Sequence, residues 1–432
     1  WEGIRTAIGP GAVIPVIYGR HRVGGQLLAA SIDQAATILD VGQQQRSLVA
    51  IATPPTLTML IALGEGPIDA SLPVANVQIN GQPIGNFPGV TTDVRLGTPD
   101  QTAMPAFGEL RNTFADGREI PVNEITYTTT TSVQGFILNI VFNEGLYHFT
   151  SKGDKEDNSV TIQYFYQEGG QGWNGPLNWD ISAARTSPVR LGIRREGLPL
   201  SVYEIRIGLI GVNNQDENRD RWKPTLESVT EIVQNTETYP NTALLGLRAV
   251  ATNALQGALP NITMEVYGRT VRVGSFSATP VWSDNPAWCM MDFLTNTRYG
   301  LGIPDAEIDL AAFAAWAAYC DQIIDGEKRH TFNYVLDRDS RSQPALLEMQ
   351  GASRTLMFKS EGLWTPRPTR DDPPVQLLSW ANCSDLKLTY TRDVDRINVM
   401  EARFANEENE HQQDVLTWPT IENWPADVRK AS

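Results

Sequence analysis

The 432-residue chain is short of the residues that most often carry chemistry. It has three cysteines, Cys289, Cys320 and Cys383, whose spacings of 31 and 63 residues match no zinc or iron–sulfur pattern. So few cysteines exclude a disulfide scaffold and fit folding in a reducing cytoplasm. Cys289 and Cys320 sit in apolar helical stretches, where a free thiol reads as a small buried hydrophobe. The four histidines, His21, His148, His330 and His411, lie far apart in sequence. Each reads as a surface or packing residue rather than a ligand or base. Basic charge is in deficit: 35 Lys and Arg stand against 50 Asp and Glu, a net charge of −15. Gripping nucleic acid by its phosphates needs clustered cations, so the chain is a poor candidate for holding DNA. Acidic walls repel a polyanion and suit a conduit; the other reading is that acidity only confers solubility. No apolar run approaches the ~20 residues of a membrane-spanning helix. Residue 1 is Trp and no signal-peptide pattern follows, so the chain is expected to be a fragment of a longer protein.

Catalytic motifs are missing as well. There is no G-x-G-x-x-G, P-loop, H-E-x-x-H or G-x-S-x-G. No catalytic, cofactor-binding or metal-binding residue is assigned. The acidic clusters Asp154-Lys-Glu-Asp157 and Glu407-Glu-Asn-Glu410 could pair carboxylates for glycoside hydrolysis or hold a hard cation. With 50 acidic residues such runs arise by chance, and solvated loops are the favoured reading. Trp173 and Trp179 flank a Gly-rich stretch. They either present indole rings to a protein interface or a sugar, or fold back onto their own sheet.

What is present is β pattern. Val160, Ile162, Tyr164 and Tyr166 alternate at period two, as do the residues of Tyr203–Leu209, and Phe136–Phe142 is a continuous apolar run. Asn80-Gly81, Asp116-Gly117 and Gly169–Gly175 read as hairpin turns. Residues 211–222 read as a linker or long loop. Further strands are expected at Leu244–Val250, Met264–Gly268, Leu386–Tyr390 and Asn398–Met400. Helices are expected from Pro286 to about Asn296, from about Asp309, and from about Pro344 to Gly351. The second carries an apolar stripe through Leu310, Phe313, Ala317, Cys320 and Ile324. The dense prolines of Thr365–Pro374 predict an irregular connection. The fold class is mainly β with an α+β C-terminal part. A chain of this length is expected to hold more than one domain.

Several segments, taken in order, resemble the siphophage central tail hub, or tip attachment protein J, family. They are Pro15-Val-Ile-Tyr-Gly-Arg-His-Arg-Val-Gly-Gly25, Ala62-Leu-Gly-Glu-Gly-Pro-Ile68 with Val77-Gln-Ile-Asn-Gly-Gln-Pro-Ile84, and Leu96-Gly-Thr-Pro-Asp-Gln101. Next come Leu244-Leu-Gly-Leu-Arg248 with Leu259-Pro-Asn-Ile-Thr-Met-Glu-Val-Tyr-Gly268, then Asn285-Pro-Ala-Trp288 with Leu294-Thr-Asn-Thr-Arg-Tyr-Gly-Leu-Gly302, and Phe332-Asn-Tyr-Val-Leu-Asp337. The resemblance implies a multidomain tail-hub architecture. A discontinuous β-barrel hub domain would span 1–90 plus 223–280, an inserted β-sandwich 91–222, and an α+β tail-hub domain 281–432, continuing further along the chain. It also implies a homotrimer that closes the tail tube and adapts a threefold tip to a sixfold tube. Implied partners are tail tube or distal tail ring proteins, other tip proteins and the tape measure protein. DNA would be met only in passage, and a host receptor only through regions outside this chain. Family members usually continue into fibronectin-like domains, which the resemblance places after these residues. Where the tip has an iron–sulfur cluster it belongs to a neighbouring protein. The implied location is the virion, at the distal end of the tail, after assembly in the host cytoplasm. The competing readings are a non-axial baseplate or fibre adaptor, and a carbohydrate-binding or glycan-hydrolysing β module.

Overall fold

The computed structural model describes residue 6 and residues 13–33, 37–39, 45–49, 56–250, 259–337 and 342–374, with most positions from 376 to 431. The chain divides into two compact units, Trp1–Arg367 and Pro368–Ser432. As expected, the chain is mainly β, with three α-helices among the described residues.

Two four-stranded antiparallel sheets form the first part of the larger unit. One is ordered Gln26–Asp33, Thr56–Glu65, Thr242–Val250, Thr91–Arg95; the other is ordered Arg20–Val23, Ile262–Tyr267, Val74–Ile79, Gln82–Pro83. Leu57, Met59, Ile61 and Leu63 from the first meet Ile262, Met264 and Val266 from the second in one core. The alternate residues Leu60 and Ala62 pack on the other face, against Met104 and Leu244. The strand Thr56–Glu65 is therefore apolar on both faces, which is why its sequence runs hydrophobic instead of alternating. Among the described residues neither sheet closes on itself, so the expected barrel is a pair of facing sheets. Asn80-Gly81 is the expected hairpin: both residues have positive φ, 51° and 78°, and Ile79 pairs with Gln82.

The second part is a sandwich of two five-stranded sheets. Leu110–Glu119, Thr225–Val233, Gly135–Phe142, Val189–Arg195 and Thr37–Leu39 make one. Ile125–Thr128, Tyr203–Val212, Asn158–Glu168, Asn174–Ala183 and Gln45–Val49 make the other. Thr37–Leu39 and Gln45–Val49 come from the chain between Gln26–Asp33 and Thr56–Glu65 and add as parallel edges. Val160, Ile162, Tyr164 and Tyr166 all point into the sandwich core, as their period predicts. Phe136 meets Tyr164 edge-on, with ring centroids 6.2 Å apart. Asp116-Gly117 is not a hairpin but a bulge inside the strand Leu110–Glu119. Pairing with Thr225–Val233 resumes at Arg118, whose guanidinium grips the Asp116 carboxylate at 2.6 Å. Of residues 211–222, the first two end the strand Tyr203–Val212 and the rest is a long loop within this sandwich, not a linker: Asp220–Arg221 pairs with Tyr147–His148. Thr91–Arg95 belongs to one of the two facing sheets, whereas Thr225–Val233 is a sandwich strand.

The helices form the third core. α1 (Pro286–Thr295) starts at Asn285, whose side chain accepts from the Ala287 amide at 3.0 Å, with Pro286 in the first turn. α2 (Leu310–Cys320) is capped by Asp309, which accepts from the Ala312 amide at 3.0 Å. Phe313, Ala317 and Cys320 are buried with Trp316, but Ile324 is not on this stripe. It lies 46% exposed in the hairpin Ile323–Ile324/Glu327–Lys328, because α2 ends at Cys320. α3 (Ser342–Ala352) packs Ala345 and Met349 into the same core. The proline-dense stretch is partly ordered as the strand Leu363–Pro368, paired with Thr355–Ser360 and leaving only residues beyond Pro368 irregular.

The smaller unit carries a sheet ordered Gln412–Trp418, Val399–Asn406, Lys430–Ala431. The strand expected at Leu386–Tyr390 is not formed at Lys387, Thr389 or Tyr390; Leu386 and Leu388 lie outside the described residues. No described helix is long and apolar enough to cross a membrane.

Truncating Leu138→Ala, fully buried in the sandwich, should lower stability by about 2–5 kcal/mol. Val122→Ala, 75% exposed, should stay within about 0.5 kcal/mol of the parent. Urea unfolding of the full chain measures both.

Candidate functional site

The strand Val16–Tyr18 sits between two cores. Ile17 points into the core of the facing sheets, while Val16 and Tyr18 point into the helical core. All three are at most 3% exposed. The period-two geometry of a strand places neighbours on opposite faces, so three residues suffice to join two cores. The strand pairs antiparallel with Tyr334–Leu336, and the Ile17 carbonyl accepts from the Arg269 amide at 2.7 Å. At its end the chain turns at Gly19, with φ 65°; a Cβ there would stand 2.2 Å from the Phe332 carbonyl oxygen. Only glycine fits that approach.

Polar groups close the junction. Tyr18 donates its hydroxyl to Asp292 on α1 at 2.8 Å, and Tyr299 donates to the same carboxylate oxygen at 2.5 Å. The Arg269 guanidinium lies 3.6 Å from that oxygen and 5.0 Å from the Tyr299 ring centroid, and it donates to the Gly66 carbonyl. Arg298 pairs with Glu65 at the end of the long strand Thr56–Glu65, and the Glu65 amide donates to the Pro15 carbonyl at 2.7 Å. Burial raises the Tyr18 phenol well above its ordinary range, reinforced by the Asp292 charge, and Tyr299 is raised by the same two causes. Both phenols therefore stay protonated and donate. Burial raises Glu65 too, against the pull of Arg298. This arrangement clamps backbone segments; it offers no activated nucleophile.

A second clamp lies beside it. Gln101 accepts from the Gly97 amide at 2.9 Å and donates to the carbonyls of Thr238, Tyr239 and Thr242 at 2.7–2.9 Å. Gly97, with φ 83°, backs onto Gly66; a Cβ on Gly97 would stand 2.7 Å from the Gly66 Cα.

The sequence singled out other residues. Trp179 is 1% exposed in the sandwich core. Trp173 lies on the rim of the Gly-rich loop, with the Arg206 guanidinium 4.0 Å from its ring centroid. His148 contacts Asp220 at 2.6 Å through Nδ1. His21 Nδ1 lies 2.9 Å from the Arg22 carbonyl oxygen, and His330 packs near Tyr319. These three are not brought together, and His411 lies outside the described residues. Cys289 and Cys320 are buried in the helical core, and burial pushes both thiols up, Cys320 to about 12; Cys383 is half-buried. Asp154–Asp157 is exposed, with Lys155–Glu156 forming a short strand paired with His148–Phe149, and Glu407–Glu410 lies outside the described residues. Glu65 and Arg298 fall inside the family-like segments Ala62–Ile68 and Leu294–Gly302, whereas Asp292 and Arg269 lie outside every quoted segment. The sequence signal for Asp292 is that it is the one acid inside the apolar helix Pro286–Thr295.

Residues 119–235 match the family model of the FNIII-A domain of tip attachment protein J. Over 400 residues the chain is 23% identical to tip attachment protein J of Escherichia phage SECphi27, covering 83% of this chain and 33% of that one. It is 25% identical over 336 residues to the same protein of Escherichia phage SECphi4, covering 66% and 28%. These matches support the resemblance to the tip attachment protein J family read from the sequence. It spans about a third of the length of these relatives. Among solved structures, the virion of a native gene transfer agent particle aligns over 99% of this chain and 70% of its own, at 11% identity and TM-score 0.44. The J-family match corrects one expectation: a fibronectin-type domain lies inside this chain, as the sandwich, and not only after it. The J-like segments around Tyr18, Gly66, Gln101, Gly268 and Tyr299 meet at the two clamps.

Because Tyr18 and Tyr299 share one oxygen of Asp292, Tyr18→Phe and Tyr299→Phe should each destabilise the chain by about 1–3 kcal/mol. In the double variant the losses should depart from additivity by about 0.5 kcal/mol or more, measured by a urea double-mutant cycle.

Proposed function

We propose that this chain is the hub region of a phage tail-tip protein, a structural component of the virion and not an enzyme. Three copies surround an axis, close the end of the tail tube and form the passage for ejected DNA. The observation that carries this reading is the convergence of the J-like segments on one double clamp that fixes the facing sheets to the helical block. A component that bears load and seals a tube needs its domains held at fixed geometry, and shared strands and buried charge pairs do that.

We propose a revised division of the chain. The facing sheets from the opening segment to about residue 109 and from about 234 to 271 form the hub domain. The sandwich at about 110–233 is the insert, facing outward where it leaves the hub undisturbed. The helical block from about 281 braces the hub, and the smaller unit follows. Partners on this reading are tail tube or distal ring proteins, other tip proteins and the tape measure protein, with a host receptor met through other parts of the longer protein. The location is the distal end of the tail, after assembly in the host cytoplasm. The net charge of −15 suits a passage that DNA must not stick to.

Mass photometry of the purified chain, with image classification of particles that contain it, tests this. The expected result is a trimer around an axial lumen in the particles. A single copy held off-axis in intact particles would contradict it and favour a baseplate or fibre adaptor.

A further inference from the structure

At one end of the sandwich a cavity of about 350 Å³ opens between the end of Leu110–Glu119, the turn after Gly135–Phe142 and the loop that leads into Thr225–Val233. Glu119, Asn143, Glu144, Glu217, Arg221 and Trp222 are among its lining residues. That volume is at the small end of the range for small-molecule sites.

Its walls are fixed by buried polar groups. Asn158, fully buried, donates to the Asn214 carbonyl at 2.9 Å and accepts from the Asn214 amide at 3.1 Å. The Asp220 side chain, 1% exposed, contacts His148 Nδ1 at 2.6 Å and accepts from the Asp216 amide at 2.7 Å. Arg221 donates to the carbonyls of Glu217 and Asp220 at 2.8 Å and pairs with Glu144 at 2.6 Å across the cavity mouth. Lys223 pairs with Glu217 at 3.1 Å. Trp222, packed in part on the sandwich core, gives the cavity an apolar wall.

The charges select the ligand class. Both cations of the lining are already balanced, Arg221 by Glu144 and Lys223 by Glu217, so no excess positive charge is left to hold an anion. No group of three or more His, Cys, Asp or Glu among the described residues is placed to hold a metal ion. Two of the carboxylates are already neutralised by their own cations, which leaves little net attraction for a cationic ligand. What remains is a neutral ligand that donates and accepts at adjacent positions and has a small apolar face. Carboxylates accept from hydroxyls, Arg221 and Asn143 donate to them, and the indole meets the C–H face. We propose that this cavity binds one residue of a neutral saccharide.

The test uses the full chain and saturation-transfer NMR with glucose, galactose, rhamnose and N-acetylglucosamine as separate probes at millimolar concentration. At least one sugar should receive saturation on its ring protons. Glu217→Gln and Asn143→Ala, both on exposed positions that leave the core intact, should each weaken that binding up to about tenfold, the scale of one charge-assisted hydrogen bond. Trp222→Leu should abolish it in a chain that keeps its parent circular dichroism. No transfer to any of the four sugars, transfer unchanged in all three variants, or transfer to lysine methyl ester but to no sugar would each overturn the proposal. The oligomeric state does not enter these readouts, so a failed hub assignment and a failed saccharide site are distinguishable.

Discussion

The structure depends on three residues that serve two cores at once. In Val16-Ile17-Tyr18 the alternation of a β-strand sends Ile17 one way and its neighbours the other. Full burial of such side chains is worth about 1.5–3 kcal/mol each, so neither core can lose the strand cheaply. Asp292 then adds direction: two phenols and a guanidinium converge on one carboxylate, which fixes the angle at which α1 meets the facing sheets. Buried charge of this kind adds little net stability. It does penalise every arrangement in which the carboxylate goes unpaired, and so specifies geometry.

The sandwich obeys different constraints. Its core is complete in itself, with Trp179, Phe136 and Tyr164 at the centre. Among its ties to the facing sheets are two edge strands donated by the chain between Asp33 and Thr56. A module with its own core and an outward end can change its loops without disturbing the junction. The mixed-charge cavity lies in such loops, pinned by Asn158 and Asp220, while the family-like segments gather at the clamps.

Much of this was legible in the sequence where periodicity decides. The alternation of Val160–Tyr166, the Asn80-Gly81 turn and the starts of α1 and α2 all follow from local chemistry. The misreadings have local causes too. Asp116-Gly117 satisfies the turn preference equally well as a bulge, and only the partner strand distinguishes the two. Ile324 continues a helical spacing by coincidence after Asp325-Gly326 has already set a hairpin. The junction was visible only as family-like segments that hold Tyr18, Glu65, Gln101, Arg298 and Tyr299, and as one acid in an apolar helix. Two of its contacts, Tyr18 to Asp292 and Arg269 to Gly66, link residues more than 200 positions apart, which no local pattern encodes.

The central claim is that the opening strand makes the facing sheets and the helical block one cooperative unit. Hydrogen exchange of the full chain, followed by mass spectrometry, tests it most directly. Peptides covering residues 13–25, 259–270, 286–300 and 332–337 should open together, with a common free energy that falls in concert in Tyr18→Phe. Exchange of 286–300 at a distinctly lower free energy than 259–270, unmoved by that substitution, would contradict it.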